Sequence, residues 1–470
     1  MAHPIRILLI AAIFVVGALV SSSQTPILPE LPKGKIVEKV DIAADTSQSY
    51  AVYLSAIYDP AKKFPIVYCF DPGGRGAEAV EKFRAAAEKY GYIVVGSNNS
   101  RNGLDAKTLS TIVNTLWDET HRRFSIDDKR VLAAGLSGGA RVASSVANAC
   151  GCIFGVIGSG AGFSDGVAIN EKLPFLFFST IGYNDFNYPE IVGLTKKLAA
   201  AHATYRVEMF DAAHQWLDEP LSFEALGWFE IREMKAGRRE KDDRLVEELF
   251  QARVHRADAF LAEKKVMEAY SSYAGIVDDF SQWRDVSPFA VKVSSIASSS
   301  EYKQALKAEI EQINLQQQFT GELFALGEKM RGGEEKIDAR SQIRQKVSEL
   351  TKSSDDTVDS PKRRVARRVL NGVFVSSLET ASRFEREGKP KFALDQLDLA
   401  GEIFPKNAGV LYSKARILAL QGDKKKAIDA LTKALELGLK DPNRIKNEKA
   451  FETLKTDERF VKLVAGLKQT

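Results

Sequence analysis

A serine flanked by glycines stands where an apolar run meets a run of small residues. Residues 131–140 read VLAAGLSGGA, which places Ser137 in a G-x-S-x-G pattern between a predicted strand and a predicted helix. Glycines suit this turn because side chains beside the serine would collide with the neighbouring strand and helix. A serine hydroxyl attacks a substrate only when a base removes its proton. The pattern therefore predicts nucleophilic chemistry with Ser137 as the attacking group.

The base that Ser137 requires is predicted to be His214. Of the five histidines, His214 directly follows a late predicted strand, in a loop that reads DAAHQW. Loops after parallel strands lie at the carboxyl edge of the sheet, so we expect this imidazole on the same edge as Ser137. The acid that orients it is predicted to be Asp185, on the loop after the preceding strand. Asp165 and Asp211 remain alternatives for that acid.

The elements that must position these groups alternate between strand and helix from about Gly34 to Trp228. This alternation is typical of an α/β domain with a mostly parallel sheet covered by helices, and we assign it residues 34–235. The predicted strands are Tyr50–Tyr58, Pro65–Phe70, Tyr92–Gly96, Arg130–Ala134, Cys152–Ile157, Phe175–Thr180 and Tyr205–Phe210. The predicted helices are Ala77–Tyr90, Ala106–Arg123, Ala140–Ala149 and Glu190–Ala201.

This first domain resembles the α/β-hydrolase superfamily, in particular secreted bacterial esterases of the polyhydroxybutyrate-depolymerase and feruloyl-esterase kind. The resemblance covers about Lys35–Trp228. It rests on the glycine-flanked serine with FSIDDKRV before it, the glycine-rich loop after an early strand, and the spacing from Asp185 to His214. It implies a serine hydrolase that cleaves carboxylic esters through a Ser-His-Asp triad and an acyl-enzyme.

Acyl transfer also needs hydrogen-bond donors for the developing oxyanion. One is predicted to be the backbone N–H of Gly138, at the start of the helix after the nucleophile. The second is expected from the loop FDPGGRG at residues 70–76. The resembled family often has His-Gly where this chain has Asp71-Pro72. Proline has no N–H, so the second donor is predicted to be Gly73 or Gly74.

Substrate contacts are predicted from polar side chains near the same edge. Asn99 and Arg101, in the segment GSNNSRNG at residues 96–103, together with Arg75, could bind a polar or anionic part of a small-molecule or polymer ester. The alternative is that they hold loops together by hydrogen bonds. Trp216 is predicted to form an apolar pocket wall, with a place in the core as the alternative. The sequence has no metal-ligand spacing and no phosphate-binding loop, so neither a metal nor a cofactor is predicted.

The chain after Trp228 is helical and contains an internal repeat. Ala381, Phe384, Gly388, Ala393, Leu397 and Ala400 align with Ala415, Leu418, Gly422, Ala427, Leu431 and Ala434 at a constant offset of 34. This region resembles tetratricopeptide repeats, which are all-α helical hairpins of 34 residues. We predict a helical region over 241–350 with one such hairpin, a flexible linker at 351–364, and repeats with terminal helices over 365–470. The repeat surface is a candidate site for a protein or peptide partner.

Composition excludes several other classes of protein. The 470 residues are 44% apolar and 27% charged, with a net charge of +4, which excludes a disordered chain or a multispan membrane protein and gives no reason to expect nucleic acid. Residues 1–23 read as a signal peptide, so export to the periplasm or medium is predicted; membrane association would require this segment to stay uncleaved. We expect Cys150 and Cys152 to be buried thiols, because the one intervening residue would strain a disulfide; the alternative is a disulfide, which an oxidising compartment would permit.

Two other functions remain open from the sequence. The same triad could cleave peptide bonds, with the hairpins gating or presenting the peptide. Alternatively, the first domain could be a scaffold and the repeat surface a binding module. The serine, acid and histidine in their expected order favour an enzyme over a scaffold, although fold alone does not decide function.

Overall fold

Eight strands form one sheet in the first half of the chain, described here from a computed structural model. The structure describes residues 30–164, 169, 173–332, 336–439 and 441–467. The strands are β1 (Ile36–Ile42), β2 (Asp45–Leu54), β3 (Phe64–Phe70), β4 (Ile93–Ser97), β5 (Ile126–Leu136), β6 (Gly155–Ser159), β7 (Leu176–Gly182) and β8 (Tyr205–Phe210). Their spatial order is β1-β2-β4-β3-β5-β6-β7-β8. The pairs β1/β2 and β2/β4 are antiparallel, and all the other neighbours are parallel.

Five helices accompany the sheet: α1 (Gly76–Tyr90), α2 (Ala106–Arg123), α3 (Gly138–Cys150), α4 (Tyr188–Ala200) and α5 (Glu219–Lys235). All seven residues of β3 are buried, as expected for a central parallel strand covered on both faces. Helices α1 and α5 pack against each other, and they share a core with the sheet in which Phe83 and Trp228 are buried. The predicted α/β domain with a mostly parallel sheet is confirmed.

The sequence prediction missed β1. Its side chains Glu38, Lys39 and Asp41 are exposed, and only Val40 and Ile42 are buried. An edge strand carries such charges because they discourage pairing with another chain, and they also dilute the apolar alternation by which a strand is recognised. The predicted signal peptide at residues 1–23 lies outside the described residues.

The second half is all helical. Its helices are α6 (Asp243–Ala262), α7 (Val266–Phe280), α8 (Ser287–Ser298), α9 (Ser300–Lys329), α10 (Lys336–Ser354), α11 (Pro361–Arg386), α12 (Pro390–Ile403), α13 (Ala408–Leu420), α14 (Lys424–Glu436), α15 (Pro442–Lys446) and α16 (Glu458–Ala465), with a 3₁₀ helix at Lys449–Leu454. Within the described residues, no helix is long and apolar enough to span a bilayer. The predicted helical second region is confirmed.

Helices α11 and α12 form one hairpin, and α13 and α14 form the next. The aligned glycines Gly388 and Gly422 both have positive φ, 68° and 80°, just after the first helix of each hairpin. A left-handed residue there ends the helix, and glycine adopts it without a Cβ penalty. The 34-residue offset therefore marks equivalent turns, while the resemblance to tetratricopeptide repeats stays a prediction. The connection before α11 is shorter than the predicted linker at 351–364, because α10 continues to Ser354 and α11 starts at Pro361.

A buried group of charges joins α7 to the sheet domain. Asp279, which is 1% exposed, accepts hydrogen bonds from Arg206 Nη1 of β8 at 3.1 Å and from Trp228 Nε1 of α5 at 3.1 Å. Arg253 of α6 also donates to this carboxylate, at 2.5 Å. Buried charges are tolerated when they are paired and hydrogen-bonded in this way. Residues from Pro32 onward accordingly form one compact unit rather than two separate bodies.

A second group of buried charges joins α5 to β5. Glu230 and Glu233 of α5 both pair with Arg130 of β5, and Tyr92 donates its hydroxyl proton to Glu230 at 2.7 Å. Burial raises the pKa of Glu233 to about 7, and the nearby Arg130 only partly offsets that shift.

The cysteine expectation needs correction. Cys150 and Cys152 are joined by a disulfide with their Cα atoms 5.1 Å apart, a separation that a disulfide can span, whereas Cys69 is a free, buried thiol. The turn at Gly151, with φ 59°, brings the two sulfurs together.

Candidate active site

Ser137 occupies a strained turn between β5 and α3. Its φ is 53° and its ψ is −119°, a conformation that residues with side chains rarely adopt. A Cβ on Gly139 would lie 1.8 Å from the carbonyl oxygen of Phe70, so a larger residue does not fit there. The Ser137 N–H donates to the carbonyl oxygen of Ser159 on β6 at 2.8 Å. The turn thus presents the serine at the carboxyl edge of the sheet.

His214 and Asp185 contact each other at the same edge. His214 Nδ1 is 2.9 Å from both Oδ1 and Oδ2 of Asp185. Asp185 is fully buried, and its Oδ1 also accepts from the Asn187 N–H at 2.8 Å. An ionised carboxylate only accepts hydrogen bonds, so Nδ1 carries the imidazole proton and Nε2 is left as the basic nitrogen. Of the two alternative acids, Asp211 lies near Asn184 at 3.4 Å instead, and Asp165 lies outside the described residues.

Two neighbouring residues, Gly160 and Phe186, relate the His214–Asp185 pair to Ser137. The residue after Ser159 is Gly160, and a Cβ on Gly160 would lie 3.0 Å from both His214 Nδ1 and Asp185 Oδ2. The Phe186 ring packs on the imidazole with their centroids 4.3 Å apart, and Phe186 lines the same cavity as Ser137. Within the described residues the Ser137 hydroxyl makes no hydrogen bond, as is common before a substrate aligns the groups.

The predicted second oxyanion donors are both engaged elsewhere. The Gly73 N–H donates to Asp71 Oδ1 at 2.8 Å, and the Gly74 N–H donates to the Asp71 carbonyl oxygen at 3.1 Å. Asp71 is fully buried and also accepts from Trp216 Nε1 at 2.9 Å. In contrast, Gly138 is the first residue of α3, where an N–H has no partner within the helix. The loop therefore engages the N–H groups of its own glycines, whereas the Gly138 N–H stands at the first turn of α3 beside Ser137.

Asn102 supplies a polar group at the site that the sequence did not predict. A Cβ added to Gly138 would lie 1.9 Å from Asn102 Oδ1, so the side-chain amide of Asn102 lies directly against the start of α3. The Asn102 N–H donates to the Pro72 carbonyl oxygen at 2.8 Å, which anchors its loop to the glycine-rich loop. The amides of segment 96–103 predict a polar surface there, but no local sequence pattern distinguishes Asn102 from Asn99.

The four side chains predicted to bind substrate lie outside the cavity that contains Ser137. Trp216 is in the core, 2% exposed and bonded to Asp71, and Arg75 pairs with the same carboxylate at 2.8 Å. Asn99 Oδ1 accepts from the Ser49 N–H at 2.8 Å, which ties the loop to β2. Arg101 is exposed, and its backbone bridges to Gly73. Asn99 and Arg75 therefore hold loops together, and Trp216 belongs to the core, as the alternatives to substrate binding predict.

The cavity that contains Ser137 is walled by both halves of the chain. It has a volume of about 660 Å³. The first half contributes Asn102, Gly103, Ser137, Gly138, Arg141, Phe186 and Asn187, and helix α11 contributes Ser376, Leu378, Glu379, Ser382 and Arg386. Asn102 Nδ2 donates across this cavity to Glu379 Oε1 at 3.3 Å. Helix α11 of the second half is thus part of the cavity wall, whereas the sequence predicted the second half only as a partner surface or as hairpins that gate or present a peptide.

The loop that carries Asp185 is also held by three helices of the second half. Gln316 Nε2 of α9 donates to the Phe186 carbonyl oxygen at 2.8 Å. Arg368 Nε of α11 donates to the Tyr183 carbonyl oxygen at 2.6 Å, and the Tyr183 hydroxyl donates to Glu268 of α7. Arg368 is 1% exposed, and burial lowers its pKa to about 10. These contacts hold the loop between β7 and α4 to the helical half of the chain.

The strand order and the strained serine turn together define an α/β-hydrolase fold. Among the described residues, no three His, Cys, Asp or Glu side chains are grouped so as to hold a metal ion. The sheet and the serine turn therefore identify the fold of the first half of the chain.

Comparisons with known proteins find only low similarity. No protein-family model matches the chain, and no curated protein matches it. Similar solved structures include an esterase B from Lactobacillus rhamnosis, with 18% identity and a TM-score of 0.36 over 44% of this chain and 89% of that one. Another is an S-formylglutathione hydrolase from Staphylococcus aureus, with 13% identity and a TM-score of 0.34 over 43% of this chain and 99% of that one. A ferulic acid esterase has 15% identity and a TM-score of 0.32 over 41% of this chain and 96% of that one. Such values carry no argument about activity.

Proposed function

We propose that this protein is a serine hydrolase that cleaves carboxylic esters through an acyl-enzyme. The observation that carries the proposal is the buried Asp185 hydrogen-bonded to His214 at the sheet edge where the strained turn presents Ser137. A serine, an imidazole and a buried carboxylate at one edge perform nucleophilic acyl transfer in several unrelated folds.

The reaction follows from these groups. His214 Nε2 takes the proton from Ser137 Oγ as the oxygen attacks the acyl carbon, and the carbonyl electron pair moves onto the carbonyl oxygen. When the intermediate collapses, the bond to the leaving alkoxide breaks and His214 returns the proton to the alcohol. Water then repeats the sequence on the acyl-enzyme, losing a proton to His214 and releasing the carboxylic acid and the free Ser137 hydroxyl.

The oxyanion is proposed to lie between Gly138 and Asn102. The Gly138 N–H points from the start of α3, where the helix dipole favours negative charge. A primary amide has two N–H groups, and Asn102 Nδ2 donates one of them to Glu379. The amide oxygen lies nearer to Gly138 than Nδ2 does, so a turn of the amide group would bring the second N–H to the substrate. This pairing replaces the Gly73 and Gly74 donors that Asp71 engages.

A fluorophosphonate probe tests the nucleophile. We expect one covalent adduct, mapped by mass spectrometry to the peptide that contains Ser137, together with turnover of 4-nitrophenyl butyrate. Ser137→Ala should lose both while its melting temperature stays unchanged, because a serine hydroxyl without a hydrogen bond contributes little to folding. An adduct on another serine, or full turnover by Ser137→Ala, would overturn the assignment.

Two acid variants test the orienting carboxylate. Asp185→Asn should lower kcat by about 10⁴-fold, because an amide no longer selects the productive imidazole tautomer. Asp211→Asn is the matched control, since Asp211 has no contact with the imidazole, and its kcat should stay close to that of the wild type. A larger loss in Asp211→Asn would reassign the acid.

We also propose that the protein is exported. An apolar run at residues 7–20 after Arg6 supports this, as does the Cys150–Cys152 disulfide, because disulfides persist mainly in oxidising compartments. N-terminal sequencing of the protein from the native cell should give a start near Gln24. A cytoplasmic protein that retains its first residues would contradict the proposal.

A further inference from the structure

Arg141 places a guanidinium in the wall of the cavity that contains Ser137. It lies one helical turn after the serine on α3, and its N–H donates to the Ser137 carbonyl oxygen at 3.2 Å. Its Nη2 donates to Glu190 Oε2 at 2.7 Å. The other oxygen of Glu190 accepts from the Gly162 N–H at 3.2 Å, so this carboxylate is already used on both sides.

The second terminal nitrogen of Arg141 is left without a partner. Nη1 is buried and has no hydrogen-bond acceptor among the described residues. A buried donor without an acceptor costs about 1–3 kcal/mol, and more on a charged group. A ligand that supplies the missing acceptor is one physical reason to keep such a group. Arg141 lines the cavity beside Ser137 and its side chain is 31% exposed, so a ligand bound in that cavity would contact this guanidinium.

A second cation faces the same cavity from α11. Arg386 is exposed and forms no ion pair among the described residues. Its Nη1 would lie 2.9 Å from a Cβ on Gly103, which places the guanidinium against the loop opposite Arg141. Glu379 is the one acidic side chain of this lining, and it accepts from Asn102 at 3.3 Å. The lining therefore carries two guanidinium groups against one carboxylate, and this net positive charge favours an anionic substrate.

We propose that the substrate of this hydrolase is a small ester whose acyl part carries a free carboxylate, a monoester of a short dicarboxylic acid, bound by Arg141 with Arg386 as a second cation. The inference rests on Ser137 as the nucleophile. Since one turn of helix rises about 5.4 Å, the carboxylate binds a few bonds from the scissile carbonyl. A guanidinium suits this role because its planar donors match a carboxylate. The cavity volume of about 660 Å³ accommodates a ligand of this size.

The test compares esters that differ only in charge. The acyl-side pair is mono-4-nitrophenyl glutarate and the same compound with its free carboxylate capped as a methyl ester. The alcohol-side pair is 4-carboxyphenyl butyrate and its methyl-capped counterpart. Rates with Ser137→Ala are subtracted, because a neighbouring carboxylate accelerates spontaneous hydrolysis. The wild type should show a kcat/KM about 10-fold or more higher for the charged glutarate ester than for its capped form, as expected for a hydrogen bond to a charged group.

Variants assign that preference to named residues. Arg141→Gln should reduce the charged-to-capped ratio to about 1, and Arg141→Lys should give an intermediate ratio because it keeps the charge without the planar fork. Arg386→Gln should lower the ratio severalfold. Arg383→Gln is the matched control, since Arg383 lies on the same helix, is 59% exposed and is not part of the cavity lining; its ratio should equal that of the wild type.

Each outcome has one meaning. A wild-type ratio near 1 for the glutarate pair overturns the proposal, and so does a preference confined to the alcohol-side pair. A ratio that survives in both Arg141 variants, with wild-type melting temperatures, also overturns it. If no ester is turned over faster than by Ser137→Ala and no fluorophosphonate adduct forms, the proposed hydrolase function itself has failed, which is a separate result.

Discussion

Trp216 lies outside the lining of the cavity that contains Ser137, yet its indole N–H contacts the buried carboxylate that holds the neighbouring glycine-rich loop. Asp71 is fully buried and accepts from Trp216 Nε1 at 2.9 Å, from Arg75 Nε at 2.8 Å and from the Gly73 N–H at 2.8 Å. Trp216→Phe removes one of these donors and keeps an aromatic ring near Phe83, whose centroid is 6.2 Å away. The carboxylate then stays buried with one hydrogen bond fewer.

The expected loss in the free energy of unfolding follows from that single bond. A hydrogen bond to a charged group contributes about 1.5–3 kcal/mol, and the smaller ring adds a cavity cost, so the total should be about 2–4 kcal/mol. Activity should fall as well, because Asp71 holds the loop whose Pro72 carbonyl oxygen accepts from the Asn102 N–H at 2.8 Å. A looser loop displaces the proposed oxyanion donor, and small displacements there lower kcat strongly.

Trp228→Phe is the matched control. Trp228 is also buried, 1% exposed, and its Nε1 donates to the buried Asp279 at 3.1 Å, away from Ser137. Urea unfolding followed by far-ultraviolet circular dichroism should show a similar loss of stability in both variants. Turnover of 4-nitrophenyl butyrate should fall clearly only in Trp216→Phe. A loss below about 0.5 kcal/mol in Trp216→Phe would refute the reasoning, since that is the range of neutral surface changes. Equal losses of kcat in the two variants would also refute it.

Two further predictions concern the oxyanion and pH. Asn102→Ala should lower kcat by about 10²–10³-fold with little change in KM, as expected for a hydrogen-bond donor used in the transition state. An unchanged kcat would mean that backbone N–H groups alone stabilise the oxyanion. Glu233, with its pKa raised to about 7 from 4.5, binds more protons in the folded than in the unfolded protein between those values. Stability should therefore fall as pH rises from about 4.5 to 7 and stay level above it, by about 3 kcal/mol for this group. Glu233→Gln, in which Arg130 keeps Glu230, should remove most of that fall in unfolding measured at pH 5 and 8.

Much of the fold could be predicted because its signals are local. The predicted bounds of β8 and of α2 match the structure to the residue, and the other predicted strands and helices of the first domain overlap their observed counterparts. Helix α2 carries its own start signal, since the Asp105 side chain accepts from the Thr108 N–H at 2.9 Å. The missed strand β1 shows the limit, because charges at a sheet edge weaken the alternation that identifies a strand.

The sequence predicted those parts of the candidate site that depend on backbone geometry alone. The glycines around Ser137 imply the strained turn, and the order of the strands predicts that His214 and an acid follow it to one edge. The structure brings Asp185 to His214 at 2.9 Å. In contrast, the role of Gly73 could not be read from the sequence, because its N–H depends on which way the Asp71 side chain turns.

What the sequence by itself determined is the set of elements and the reactive serine turn, since a strand, a helix and a glycine-dependent turn are each specified by residues adjacent in the chain. Only the tertiary structure decided the walls of the cavity. Helix α11 begins more than two hundred residues after Ser137, yet its Glu379 and Arg386 line the same cavity. Such neighbours follow from the packing of whole helices on the sheet domain, which depends on many weak contacts between distant segments, and no local pattern encodes that sum.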